Sequence, residues 1–223
     1  MSISGKSYWI AAFVITAVAW IASAIVYPRL PEQVPIHWNI RGEVDGYGSR
    51  MIGAFLAPAL LIAFLGVFAA LPQLSPKKFA VETFQRTYLF VMLLTTLLFA
   101  YIHMLILYAT VIGNVQLGRA VIGGIMMFFV LMGNVMGKVR RNFYMGVRTP
   151  WTLASERVWN DTHRLTAWLF VAAGIIGIVM LLTPIPEYFV FGVILLAAII
   201  PIVYSFVHYK RLERRGLLEG DTT

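Results

Sequence analysis

The side chains able to do chemistry gather in two stretches of a chain that is otherwise mostly hydrocarbon. One runs from Pro28 to Arg50 and holds His37, Glu43 and Asp45; the other runs from Asn134 to Arg164 and reads NVMGKVRRNFYMGVRTPWTLASERVWNDTHR. One imidazole and two carboxylates are metal-ligand types, but their spacing is neither helical nor finger-like. Turn and loop hydrogen bonding is the expected use, and no metal or cofactor is expected. Cysteine is absent, which removes disulfides and thiolate chemistry. The chain also has no Gly-rich phosphate loop, no HExxH and no Ser/His/Asp arrangement, so no catalytic constellation stands out and no enzyme is expected.

A third candidate, His103, sits alone in the middle of an apolar run. An ionisable group at membrane depth is a functional candidate by default. A neutral imidazole, however, needs only one or two interhelical hydrogen bonds, and Thr95, Thr96 or Asn134 could supply them. A proton relay would also need intramembrane acids, and the apolar runs hold none. A structural role is the expectation.

Helices in a bilayer must position these residues. The 223 residues are 60% hydrophobic and 13% charged, with a mean hydropathy of +0.79, too apolar to clothe a soluble globule. Six segments are long enough to cross roughly 30 Å of hydrocarbon: near Tyr8 to Tyr27, Met51 to Leu71, Thr87 to Ile112, Arg119 to Gly137, Arg164 to Thr183 and Tyr188 to Val207. They are continuously apolar and do not alternate with period two, so helices are implied and barrel strands are not. The expected fold class is an all-α polytopic membrane protein with a short outer cap loop and an inner interfacial amphipathic helix. The expected halves are 1–112 and 113–223.

The net charge of +8 would point to nucleic acid in a soluble domain, but here the basic residues lie in loops, where they fix topology. Fourteen of the 18 Lys and Arg fall at the amino terminus, in the second and fourth loops and in the tail; Arg29, Arg41, Arg50 and Arg119 lie on the other side. The positive-inside rule places both termini and the Asn134–Arg164 stretch in the cytoplasm and the Pro28–Arg50 loop outside. No direct nucleic-acid partner follows from the charge. Lys6, an apolar run and Ala22-Ser23-Ala24 mimic a signal peptide, but the run exceeds the ~7–15 residues of a signal core, so a retained first helix is expected.

In the outer loop Val34, Ile36, Trp38 and Ile40 alternate with Pro35, His37, Asn39 and Arg41, the period of a half-buried strand, before turn residues Gly42 and Asp45-Gly46. A small ordered cap is expected, with Trp38 and Tyr47 near the interface. Gly133 and Gly137 form a GxxxG spacing that allows close helix approach. In the inner stretch, Lys138, Arg140 and Arg141 would meet anionic headgroups. Thr149-Pro150 has the form of a helix start, with Thr149 as N-cap and Pro150 at the first position. Trp151, Val158, Trp159 and Thr162 then fall on one face, which predicts an amphipathic helix along the interface, running into the fifth membrane helix.

GVRTPWTL from Gly146 to Leu153, the preceding Asn134 and Asn142, then Trp159 and His163-Arg164 leading into an apolar helix, resemble the signature of the SdpI family of bacterial membrane proteins. The outer run with Pro35, His37, Asn39, Gly42 and Asp45 resembles the small domain of unknown function found at the amino-terminal end of such proteins. The family pattern tends to place a glycine shortly after the His-Arg pair, where this chain has Thr166-Ala167. The resemblance implies a multi-pass immunity protein of the bacterial cell membrane that protects against a secreted peptide toxin. In one branch such a protein also signals by holding an ArsR-type repressor at the membrane. Carried over, the outer loop would meet toxin, and the segment with Arg148, Thr149, Pro150, Trp151, Trp159 and Arg164 would be the inner functional element.

Two other readings remain open on the residues alone. A small-solute or lipid transporter would use His103, Asn134, Pro58 and Pro201, though its halves lack evident inverted repeats. A membrane hydrolase would use His37, Glu43 and Asp45.

Overall fold

The computed structural model describes residues 5–39, 44–113 and 117–218. Among the described residues there are seven α-helices and one hairpin: α1 (Gly5–Val26), β1 (Gln33–Trp38), β2 (Val44–Ser49), α2 (Arg50–Leu74), α3 (Gln85–Ile112), α4 (Gly118–Met136), α5 (Pro150–Ala154), α6 (Glu156–Leu181) and α7 (Glu187–Glu213). Short 3₁₀ turns occupy Tyr27–Arg29, Lys77–Phe79 and Val81–Phe84. All the helices except α5 are long and apolar enough to cross a membrane, six in all among the described residues, as the sequence predicts. A helix satisfies its backbone groups internally, which is why uninterrupted apolar sequence takes this form in hydrocarbon.

On α1 most large apolar side chains point outward and the buried stripe is mostly small or polar. Ile10, Phe13, Val14 and Ile21 are exposed on α1, while its buried face is Tyr8, Ala12, Thr16, Ala19 and Ser23. Small residues at this spacing let α1 lie against α3, since helix association in lipid depends on close packing. His103 on α3 meets Ser23 of this stripe, Nε2 to Oγ at 2.8 Å, and both are fully buried. Its partner is thus neither Thr96, which donates to the Met92 carbonyl, nor Asn134, which donates to Val130. The bond joins α1 to α3.

The outer cap is a two-stranded antiparallel hairpin in which Val34 faces Gly48 and Pro35 faces Tyr47. Val34 is fully buried and seats against Gly53 of α2, where an added Cβ would lie 2.4 Å from a Val34 methyl. The alternation expected along β1 does not hold, because Ile36 is exposed. Register shifts between Pro35 and Trp38 twist the strand out of its two-residue period. Ile40, Arg41, Gly42 and Glu43 lie outside the described residues.

Backbone approach is closest between α4 and α6. A Cβ on Gly133 would stand 2.8 Å from the Ala167 carbonyl oxygen and 2.9 Å from the Val171 nitrogen, and one on Gly174 would stand 2.7 Å from the Met126 carbonyl oxygen. Gly137 has open space around it, so only the first glycine of the GxxxG packs. Gly174 and Gly177 of α6 supply the rest of the seam. At the end away from the hairpin, one apolar cluster joins Tyr8, Leu65, Phe84, Tyr88 and Met92 to Met132, Met136, Val139, Met145 and Trp159. This cluster holds the two halves of the chain together around the polar loop. Gly133→Leu is therefore expected to force α4 and α6 apart and destabilise the purified protein by about 2–3 kcal/mol, read as a lower unfolding midpoint in detergent; Gly137→Leu should leave the midpoint unchanged.

Candidate functional site

Between α4 and α6 the chain must cross the end of the bundle without helical hydrogen bonds, and each polar group of the loop needs a partner. Asn142 supplies four contacts from one fully buried side chain. Its Oδ1 accepts from the backbone N–H groups of Tyr144 (2.8 Å) and Met145 (2.7 Å), and its Nδ2 donates to the carbonyls of Arg140 (2.8 Å) and Met145 (3.2 Å). A turn is thereby built on a single amide.

Trp159 and His163 receive the loop from the α6 side. The Trp159 Nε1–H donates to the Val139 carbonyl at 2.8 Å, and its ring stacks on the His163 imidazole with centroids 4.0 Å apart. His163 Nε2 accepts from the Val147 N–H at 3.0 Å, which leaves the proton on Nδ1, 2.8 Å from the Trp159 carbonyl. His163 is therefore a neutral bracket between loop and helix. Gly146 must be glycine for two reasons: its φ is +100°, and a Cβ would fall 2.2 Å from His163 Nε2.

Thr149 and Pro150 start α5 as the sequence predicts. The Thr149 hydroxyl accepts from the Thr152 N–H at 3.2 Å, and the Thr152 hydroxyl accepts from the Thr149 N–H at 2.9 Å, a reciprocal cap in which threonine stands where Glu or Gln usually does. Thr149 Oγ1 also lies 3.0 Å from Ser205 Oγ, tying the cap to α7. The predicted amphipathic helix, however, is not one element. After a single turn the chain extends at Ser155 (φ −132°, ψ 130°), whose hydroxyl caps α6. Trp159 thus belongs to the second turn of the membrane helix and is fully buried, while Trp151 packs on Phe206 of α7 with centroids 4.8 Å apart. Hydrogen bonding to the loop outweighs the interfacial preference of the Trp159 indole.

The cations divide into bound and exposed. Arg141 lies over the Phe79 ring, 5.5 Å from its centroid, and donates to the Leu153 carbonyl; Phe79 also meets Phe143 edge-on. The loop is thereby joined to the α2–α3 connection. Arg148 donates through Nη1 to the Phe143 carbonyl and is otherwise exposed, as are Lys138, Arg140 and Arg164. Of the inner residues named from the sequence, Asn142, Gly146, Arg148, Thr149, Pro150, Trp151, Trp159 and His163 come together. Asn134 does not: it faces outward on α4 and bonds back to Val130. Sequence reading missed Thr152, Ser155, Ser205 and Phe79. The first two carried a signal, a hydroxyl three residues after the cap and a serine directly before Glu156; the other two are distant in sequence and carried none.

At the opposite end, His37 Nδ1 pairs with Asp45 Oδ1 across the hairpin, bridging the strands. No group of three His, Cys, Asp or Glu able to hold a metal occurs among the described residues. Pro35 pairs with Tyr47 in the hairpin, Asn39 follows directly on β1, and Gly42 is outside the described residues.

Six membrane-spanning helices among the described residues, a hairpin at one end and a folded polar loop at the other define a polytopic α-helical membrane protein. Residues 138–205 match the SdpI/YfhL protein family, and residues 14–62 match a domain of unknown function, DUF1648. The chain is 30% identical to the immunity protein SdpI of Bacillus subtilis (strain 168) over 214 residues, covering 92% of this chain and 97% of that protein. It is also 33% identical over 61 residues to the uncharacterized membrane protein YbgB of the same organism, 27% of this chain and 63% of the relative. No solved structure matches the chain. The chain belongs to the SdpI/YfhL family.

Replacing Gly146 by alanine should break the Val147–His163 bond and strain the backbone, lowering stability by about 2–4 kcal/mol. Denaturant titration of the purified protein followed by tryptophan fluorescence checks this; a change below about 0.5 kcal/mol would show that the bracket is not formed.

Proposed function

We propose that this protein is a non-catalytic immunity and sensor protein of the bacterial cell membrane, conferring resistance to a secreted peptide toxin. The observation that carries the reading is similarity to an immunity protein along nearly the whole chain, with both the hairpin and the loop inside the matched region. In this reading the amino-terminal half, 1–112, presents the hairpin residues Pro35, His37, Asn39 and Asp45 to toxin outside the cell. The half 113–223 presents the loop around Arg148, Thr149, Trp151, Trp159 and Arg164 to the cytoplasm, with both termini on that side. The shared core of Tyr88, Met92, Met145 and Trp159 joins the two halves at the loop end, which supports coupling between them there. An ArsR-type repressor is the proposed reader of the loop. The exposed Arg148, Arg140 and Lys138 would face it.

Survival of a toxin-sensitive bacterium expressing the chain, scored against candidate antimicrobial peptides, tests the function. Protection is expected from the wild type and its loss from Arg148→Ala or Trp159→Ala, with membrane insertion intact; full protection by both variants would remove the loop from the mechanism. Topology has a separate check, because the chain has no cysteine. Tyr47→Cys should react with an impermeant maleimide on intact spheroplasts, and Phe143→Cys only after the membrane is opened. The opposite pattern inverts the assignment of the two ends.

A further inference from the structure

A cleft of about 460 Å³ lies beside the loop, bordered by Val147, Arg148 and Thr149. Three helix faces form it: Phe128, Met132 and Met136 of α4, Phe170 of α6, and Ala198 and Ile202 of α7. The spacing of four along α4 and α7 turns each set to one side. On the hairpin side of these faces, Ile122, Met126 and Val190 pack together between α4 and α7. From Phe128 to Met136 the α4 wall runs about 12 Å along the helix axis. Residues 146–149 cover the other end, and Arg148 is the one charged side chain among the described residues lining the cleft.

This is the shape of a site for an amphiphile. The walls belong to membrane-spanning helices, so the long axis of the cleft runs with the lipid chains, and its volume is that of a small-ligand pocket. At the mouth stands a guanidinium already oriented by its bond to the Phe143 carbonyl. A guanidinium has five N–H groups in a planar fork, and a phosphate accepts two at once. No Asp or Glu lines the cleft to compete for it. Lys138 and Arg140 are exposed nearby in sequence and add to the positive field at the headgroup level.

We propose that the cleft between α4 and α7 binds one anionic phospholipid, an acyl chain lying along Met132, Phe170 and Ile202 and the phosphate on Arg148. The site is independent of the immunity reading, since it rests on the helix faces and the one cation. Bound lipid would brace the loop by holding Arg148 against the bilayer, so that loop geometry depends on lipid charge.

The test uses the full chain purified in detergent and a phosphatidylglycerol carrying a photoreactive diazirine in one acyl chain, at one lipid per protein. Crosslinks are expected on the peptides holding Phe128–Met136 and Ala198–Ile202; crosslinks spread over the outer faces of α1 and α2 overturn the proposal. Thermal unfolding gives an independent measure. Dioleoylphosphatidylglycerol should raise the unfolding midpoint more than dioleoylphosphatidylcholine. Arg148→Gln should weaken phosphatidylglycerol binding about fivefold, one headgroup contact's worth, and Ala198→Phe, which fills the cleft, should abolish the response to both lipids. Lys210→Gln, outside the cleft, should keep the wild-type response. If inorganic phosphate alone reproduces the shift, Arg148 serves a free anion and the lipid assignment fails; if both cleft variants respond as wild type, the lipid binds elsewhere.

Discussion

Every polar backbone group withdrawn from water must find a partner, and in this protein that constraint falls hardest on the loop joining α4 to α6. The helices meet it within themselves. The loop meets it with side chains, among them Asn142, which serves four backbone groups, Trp159, which takes the Val139 carbonyl, and His163, which takes the Val147 N–H. Because two of these stand on α6, the loop is held only when α6 is in register with α4. The close seam at Gly133 and Gly174 fixes that register. Loop and helix pair therefore form one unit, in which a change at the glycine seam would be felt at Gly146.

The same bonds decide which residues are left to meet something else. Trp159, His163 and Asn142 are consumed inside; what remains at the surface is Phe143, Arg148, Lys138 and Arg140. The buried set holds the shape of the loop, and the exposed set stands at its surface. Arg148 holds both positions, anchored through Phe143 and open to a partner or a lipid phosphate. At the hairpin end the division is similar: Val34 is spent against Gly53, and Ile36, Tyr47 and the His37–Asp45 pair are presented.

His103 shows how a buried polar group finds a partner on another helix. Its Ser23 partner lies 80 residues away on α1, on a helix face of small residues that no local pattern connects to α3. The sequence reading named the wrong partners, because it could place candidates by depth but not by which helices touch.

The sequence by itself determined the six spans, since hydrocarbon admits only long apolar helices, and it determined the start of α5, since Thr-Pro capping is a local matter. It also located the two polar stretches in which the structured ends lie. Only the tertiary structure decided that the amphipathic run breaks at Ser155, that Trp159 is a buried donor instead of an interfacial anchor, that Asn134 stands outside the loop's network, and that α4 and α7 part to leave a cleft beneath Arg148. These outcomes depend on partners distant in the chain: an indole prefers a headgroup interface until a carbonyl such as Val139 is brought within 2.8 Å of it. The GVRTPWTL stretch was visible as a polar run; that its polar groups mostly face inward is a property of the packed bundle.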